Sequence, residues 1–144
     1  MKYLVKSTIE MVKVANDFSL HLLPKESSAT VVGLYGDLGA GKTFFTQVIA
    51  KNLGLKEDVV SPTFVIEKKY ILTNQKFANL IHIDAYRIED SDELLSLRWR
   101  EIISDPRNLI LIEWPERVLD IMPEHTKVKI KHLENESERE VEIE

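Results

Sequence analysis

Thr30-Val31-Val32-Gly33-Leu34-Tyr35, continued without a break by Gly36-Asp37-Leu38-Gly39-Ala40-Gly41-Lys42-Thr43, is the stretch that decides the fold. Its first half is a run rich in β-branched residues, suited to a buried strand. The second half fits G-x-x-x-x-G-K-[ST]. Beyond it Phe45, Val48, Ile49 and Leu53 recur at helical spacing, and Gly54 is placed to stop the helix. A strand, a glycine-rich turn and a helix in direct succession form the context that a phosphate-binding loop requires.

The residue types follow from the chemistry. Phosphate oxygens must approach backbone N–H groups closely, so a side chain at Gly39 or Gly41 would intrude, while the helix N-terminus adds positive potential. Lys42 supplies a point charge for the β- and γ-phosphates, and Thr43 a hydroxyl for Mg2+. The expected nucleotide contacts are Asp37, Leu38, Gly39, Ala40, Gly41, Lys42, Thr43 and Phe44.

A magnesium-nucleotide site also needs a carboxylate at the end of a neighbouring buried strand. Two runs qualify: Leu109-Ile110-Leu111-Ile112-Glu113 and Leu80-Ile81-His82-Ile83-Asp84. Either acid suits the crevice at the strand ends of an open α/β sheet, and the pattern does not choose between them. The guanine-reading N-K-x-D segment and the D-x-x-G switch are both missing from the sequence, which favours ATP over GTP. A small-molecule kinase stays open, with Arg87, Arg98, Arg100 and Arg107 as phosphate clamps, although such residues more often form a solvated helix face. A nucleotide-gated binding module with negligible turnover is the other alternative.

Outward from the loop, Tyr3 to Lys6 reads as a short strand. Ser7 with Glu10 forms a capping-box signature before a helix carrying Met11, Val14, Ala15, Phe18 and Leu22. Val59 to Phe64 contains Pro62 and reads as an extended loop. Phe64–Leu72 and Phe77–Ile83 form a hairpin around Asn74, and Ser91 opens one helix through Ile103, ended by Asp105-Pro106. Leu109–Ile112 is a strand and Pro115–Ile121 a short helix. Lys127–Leu133 and Glu138–Glu144 make a C-terminal hairpin. The fold class expected is α/β: a single three-layer P-loop NTPase-like domain over residues 1–144 whose mixed sheet gains antiparallel strands from the two hairpins.

The chain has 144 residues and no cysteine, so disulfide and cysteine-zinc scaffolds are excluded. Burial of roughly 68% of the unfolded surface is enough for a core at this length. The longest apolar runs, such as Thr30–Leu34, fall far short of the roughly 20 residues that cross a bilayer, and Lys2 opens no secretory signal. A cytoplasmic protein without a membrane partner is expected. The net charge of -5 is carried by Glu134–Glu144, leaving residues 1–133 with 18 charges of each sign. Without a broad basic surface, direct binding to DNA or tRNA is not expected.

Four separated segments then agree with one family. The loop Gly36–Thr43, Ser61-Pro62-Thr63-Phe64, His82-Ile83-Asp84-Ala85-Tyr86-Arg87 and Ile112-Glu113-Trp114-Pro115-Glu116-Arg117 together resemble the TsaE family of bacterial tRNA threonylcarbamoyladenosine biosynthesis ATPases. The resemblance implies an ATPase that uses ATP and Mg2+, turns over weakly alone, and works with the TsaD and TsaB proteins in modifying adenosine at position 37 of tRNA, touching tRNA only indirectly. By the same resemblance Lys42 and Thr43 meet phosphate and Mg2+, and Glu113 lies near the metal. Asp84 orients the attacking water or a metal-bound water, Thr63 senses the γ-phosphate from a switch-like loop, and Trp114 covers the nucleotide. For Thr63 a hydroxyl satisfying the turn after Pro62, and for Trp114 a core ring, are the plainer alternatives. His82 reads as a hydrogen-bonded structural histidine.

Overall fold

The computed structural model describes residues 1–60 and 66–144. Thr63, with the rest of Ser61–Phe64 and the first residues of the strand expected from Phe64, lies outside them.

The strands are β1 (Lys2–Val5), β2 (Thr30–Tyr35), β3 (Glu67–Ile71), β4 (Asn79–Asp84), β5 (Asn108–Glu113), β6 (Thr126–His132) and β7 (Arg139–Ile143). They form one sheet in the order β1-β7-β6-β2-β5-β4-β3. The four central strands β6, β2, β5 and β4 are parallel, and β3 and β7 add antiparallel neighbours, with β1 antiparallel to β7 at the far edge. Both expected hairpins are present, and the sheet is mixed for the reason anticipated: the hairpins put antiparallel strands outside a parallel centre.

Helices α1 (Thr8–Leu20) and α2 (Lys42–Asn52) cover one face of the sheet. Strand residues pointing that way, including Val32, Leu34, Leu80, Leu109 and Leu111, pack with Met11, Ala15, Phe45 and Ile49 of the two helices. The alternate residues Val31, Ile81, Ile83, Ile110 and Ile112 pack on the other face against Leu94, Trp99 and Val118. That period-two division of near-continuous apolar runs is what a strand buried on both sides requires. Ser7 caps α1, its Oγ accepting from the Glu10 N–H at 3.2 Å while the Glu10 carboxylate accepts from the Lys6 N–H.

One expected element breaks. In place of a single helix from Ser91 to Ile103 the chain forms α3 (Asp92–Leu95) and α4 (Trp99–Ile103), separated by Arg98 in the left-handed region at φ 62°. Leu94 and Trp99 both have to enter the second core. Five residues apart on a continuous helix they would face roughly 140° away from each other. The left-handed turn at Arg98 redirects the chain, burying Trp99 and letting its indole N–H donate to the Ile121 carbonyl at 3.0 Å. The short helix expected over Pro115–Ile121 is present as a 3₁₀ helix with a kink at Val118.

The acidic C-terminus is a strand face matched by lysines. Lys129 and Lys131 of β6 stand opposite Glu142 and Glu140 of β7, Lys129 lies 3.1 Å from Glu144, and Lys2 lies 3.7 Å from Glu142. Val141 points the other way, into the core. Among the described residues no helix is long and apolar enough to cross a membrane.

Candidate functional site

The carboxyl ends of β2, β5 and β4 lie side by side, where ligands bind in open parallel sheets. The chain leaves β2 through Gly36 and the glycine-rich loop, then enters α2 at Lys42 with Gly41 as N-cap. No side chain caps that helix, so its first N–H groups face the loop. Gly36, Gly39 and Gly41 have φ of 153°, 78° and 117°. The expected intrusion of side chains at Gly39 and Gly41 concerns an approaching phosphate; within the protein alone the demand for glycine has another cause. A Cβ at Gly39 meets nothing within 4 Å and one at Gly41 only Met11 Cε at 3.8 Å, so positive φ demands glycine there within the protein itself. Close approach demands it at Gly36, where a Cβ would lie 2.5 Å from the Ile130 carbonyl oxygen of β6. Gly36→Ala therefore should cost about 2–3 kcal/mol of stability, measurable by urea unfolding, because backbone on both sides has to shift.

Lys42 is buried, its ammonium donating to the Gly36 carbonyl and sitting 3.7 Å from the centre of the Trp114 ring. Burial pulls its pKa below the ordinary value, opposed by the charges of Glu113, Glu116, Asp84 and Asp37. Thr43 Oγ1 lies 3.0 and 3.1 Å from the two carboxylate oxygens of Glu113. Glu113 is itself buried and accepts from His82 Nε2 at 2.6 Å. Asp84 pairs in register with Glu113, and its Oδ1 accepts from the Tyr86 N–H at 3.0 Å. Trp114 turns the chain in the left-handed region at φ 60°, and its ring meets Tyr86 with centroids 5.0 Å apart. A cleft of about 250 Å3 is lined by Leu38, Gly39, Lys42, Thr43, Asp84 and Glu113 with Gly41, Phe44, Tyr86 and Trp114 at its walls.

The structure thus brings Lys42, Thr43, Asp84, Glu113 and Trp114 into one cleft with the loop residues Leu38, Gly39, Gly41 and Phe44. Ala40 is buried under the loop, its carbonyl accepting from Arg139 Nε at 3.2 Å, and the Asp37 carbonyl accepts from the Ala40 N–H at 3.1 Å. Trp114 is half-buried at the cleft and packs against the second core. Among the described residues that line the cleft there is no arginine, and Arg107 pairs with Asp105 at 2.8 Å. Sequence reasoning missed Tyr86 as a cleft residue and the bond from His82 to Glu113. The alternation of His82 with Asp84 on one strand face was the only available signal.

A second cavity, about 580 Å3, opens beside the loop toward β1, α1 and β7. Gly39, Gly41 and Phe44 border it as well, joined by Val5, Met11 and Arg139.

The family model for threonylcarbamoyl adenosine biosynthesis protein TsaE matches residues 5–141. The chain belongs to the TsaE family. It is 37% identical to the TsaE protein of Rickettsia typhi over 133 residues, covering 91% of this chain and 86% of that one. With the TsaE protein of Bacillus subtilis it shares 39% identity over 112 residues, covering 77% and 66% of the two chains. The crystal structure of Bacillus subtilis YdiB superimposes with a TM-score of 0.69 at 28% identity, over 98% of this chain and 82% of that one. TsaE membership and the mixed seven-stranded sheet agree with the fold class and family expected from the motifs.

Proposed function

We propose that this chain is a magnesium-dependent ATPase that serves tRNA threonylcarbamoyladenosine formation together with the TsaD and TsaB proteins. The observation that carries the reading is the Thr43 hydroxyl on the buried Glu113 carboxylate beside Lys42, at the start of a helix that no side chain caps. Four carboxylates act on Lys42, so a polyphosphate entering this cleft needs a divalent cation to offset them. No cluster of three metal-binding side chains exists among the described residues. A hydroxyl and one carboxylate, completed by phosphate oxygens and waters, is the donor set that suits Mg2+. When bound, Mg2+ would be held by Thr43 and Glu113 and would supply the positive charge that offsets the phosphates.

Each residue then has a task. Thr43 and Glu113 hold the metal, Lys42 leaves the Gly36 carbonyl for the phosphates, and Asp84 orients the attacking water. The nucleoside occupies the cavity toward β1 and Arg139, because it shares the loop glycines and Phe44 with the phosphate cleft. The site of action is the cytoplasm, where tRNA is modified. The near-neutral body supports an indirect relation to tRNA through the TsaD–TsaB complex, with neither DNA nor membrane involved.

Phosphate release from ATP and Mg2+ tests the reading, measured alone and with a purified TsaB–TsaD pair, with Lys42→Ala as blank. Slow release that rises with the pair is expected. Release indifferent to the pair would favour phosphoryl transfer to a small acceptor, and binding to the pair that tracks ATP against ADP without turnover would favour a nucleotide-gated module. A binding readout follows from the ring contact: ATP draws Lys42 off Trp114, so tryptophan emission should change on ATP binding. The change should vanish in Trp114→Phe, because the other tryptophan, Trp99, is buried in the second core.

A further inference from the structure

Resting on that reading, we propose that His82 is a positioning residue that fixes the Glu113 carboxylate for its metal. Strand register creates the contact. Asp84 pairs with Glu113 and His82 with Leu111, so His82 lies on the Glu113 face of the sheet one step back from the strand end. The ring is fully buried, and its Nε2 sits 2.6 Å from Glu113 Oε2. An ionised carboxylate only accepts, so Nε2 carries the proton. The other donor to Glu113, Thr43 Oγ1, has a single proton to place between Oε1 and Oε2. His82 settles that choice by occupying Oε2, which leaves Oε1 to accept from Thr43 and to be the oxygen that would meet the metal.

The other ring nitrogen points to the same role. Nδ1 is buried without a hydrogen-bond partner among the described residues. A side chain kept only to fill space would avoid that orphaned polar atom, since leucine offers similar bulk without it. The bond to Glu113 is what the imidazole supplies and leucine does not. Partners of this kind, one step behind a metal ligand, orient the ligand without touching substrate.

The test uses the full chain, ADP and Mg2+. ADP binding is measured by calorimetry in EDTA and across a Mg2+ titration, for wild type, His82→Leu, His82→Gln and His82→Asn. Glutamine places an N–H close to the position of Nε2, whereas the asparagine amide stops short of Glu113. Metal-free ADP affinity should stay within about twofold throughout, while the Mg2+ concentration for half-maximal tightening rises about tenfold in His82→Leu and His82→Asn and returns close to wild type in His82→Gln. Equal Mg2+ midpoints in folded His82→Gln and His82→Asn overturn the inference, and that pair decides the matter even where His82→Leu fails to fold. Wild-type ADP binding that ignores Mg2+ overturns the metal reading and this inference together. A clear wild-type dependence with unmoved variants overturns the role of His82 alone.

Discussion

Lys42→Ala should reduce ATP turnover by about 100-fold or more while leaving the empty protein at least as stable. The first half follows from position: Lys42 is the cation at the mouth of α2, and a preorganised charge at a phosphoryl group is worth about that factor in rate. Steady-state phosphate release measures it, and near-normal turnover would remove the loop from the chemistry. The second half follows from burial. Desolvation holds the Lys42 pKa below 10.5 despite four nearby carboxylates, so folding disfavours its proton. The unfolded chain therefore binds more protons at this group than the folded one, and stability rises with pH through the window from the depressed folded value up to 10.5. Lys42→Met, which keeps the stem against Trp114 and removes the charge, should lose that alkaline rise in thermal unfolding experiments. Low turnover with intact stability separates a functional loss from an unfolded protein, as expected of a charge kept for binding at a cost to the fold.

How much of this was legible in the sequence depends on the distance over which each feature is decided. The loop is local: six strand residues, eight loop residues and a helix adjoin in the chain, and Gly36–Thr43 took the anticipated form. The hairpins were legible for the same reason. The break at Arg98 was not, because helical spacing across Ser91–Ile103 does not record which direction Leu94 and Trp99 must each face to meet Ile121 and the strand residues beneath. Strand order is less local still. Both Asp84 and Glu113 were visible as acids ending apolar runs, yet only the parallel pairing of β4 with β5 makes them neighbours and sets His82 against Glu113. The tail divides in the same way: its acidic strand was legible from Glu138–Glu144 alone, whereas the lysines beside Glu140, Glu142 and Glu144, namely Lys131, Lys129 and Lys2, are set by register. Features carried by a single segment were readable, and features carried by register were not.

Glu113→Ala should raise the Mg2+ requirement about tenfold or more, with a smaller loss of metal-free ADP affinity. Of the two strand-end acids, Glu113 has the geometry of a direct ligand: both its oxygens lie within 3.1 Å of the Thr43 hydroxyl, and it is buried. Asp84 instead has Oδ1 on the Tyr86 N–H, at the rim of the cleft. The same change has a second consequence. It strips the acceptor from His82, leaving a buried N–H unpaired at about 1–3 kcal/mol, and removes the foremost charge supporting the Lys42 ammonium. Glu113→Gln separates these effects, since an amide oxygen still accepts from His82 while the charge is gone. Stability near wild type in Glu113→Gln, lower stability in Glu113→Ala and a raised Mg2+ midpoint in both would assign the charge to the metal and the acceptor to the fold. If the Mg2+ midpoint stays unmoved in both variants, the ligand is Asp84, and the Thr43–Glu113 pair becomes a structural tie between α2 and β5.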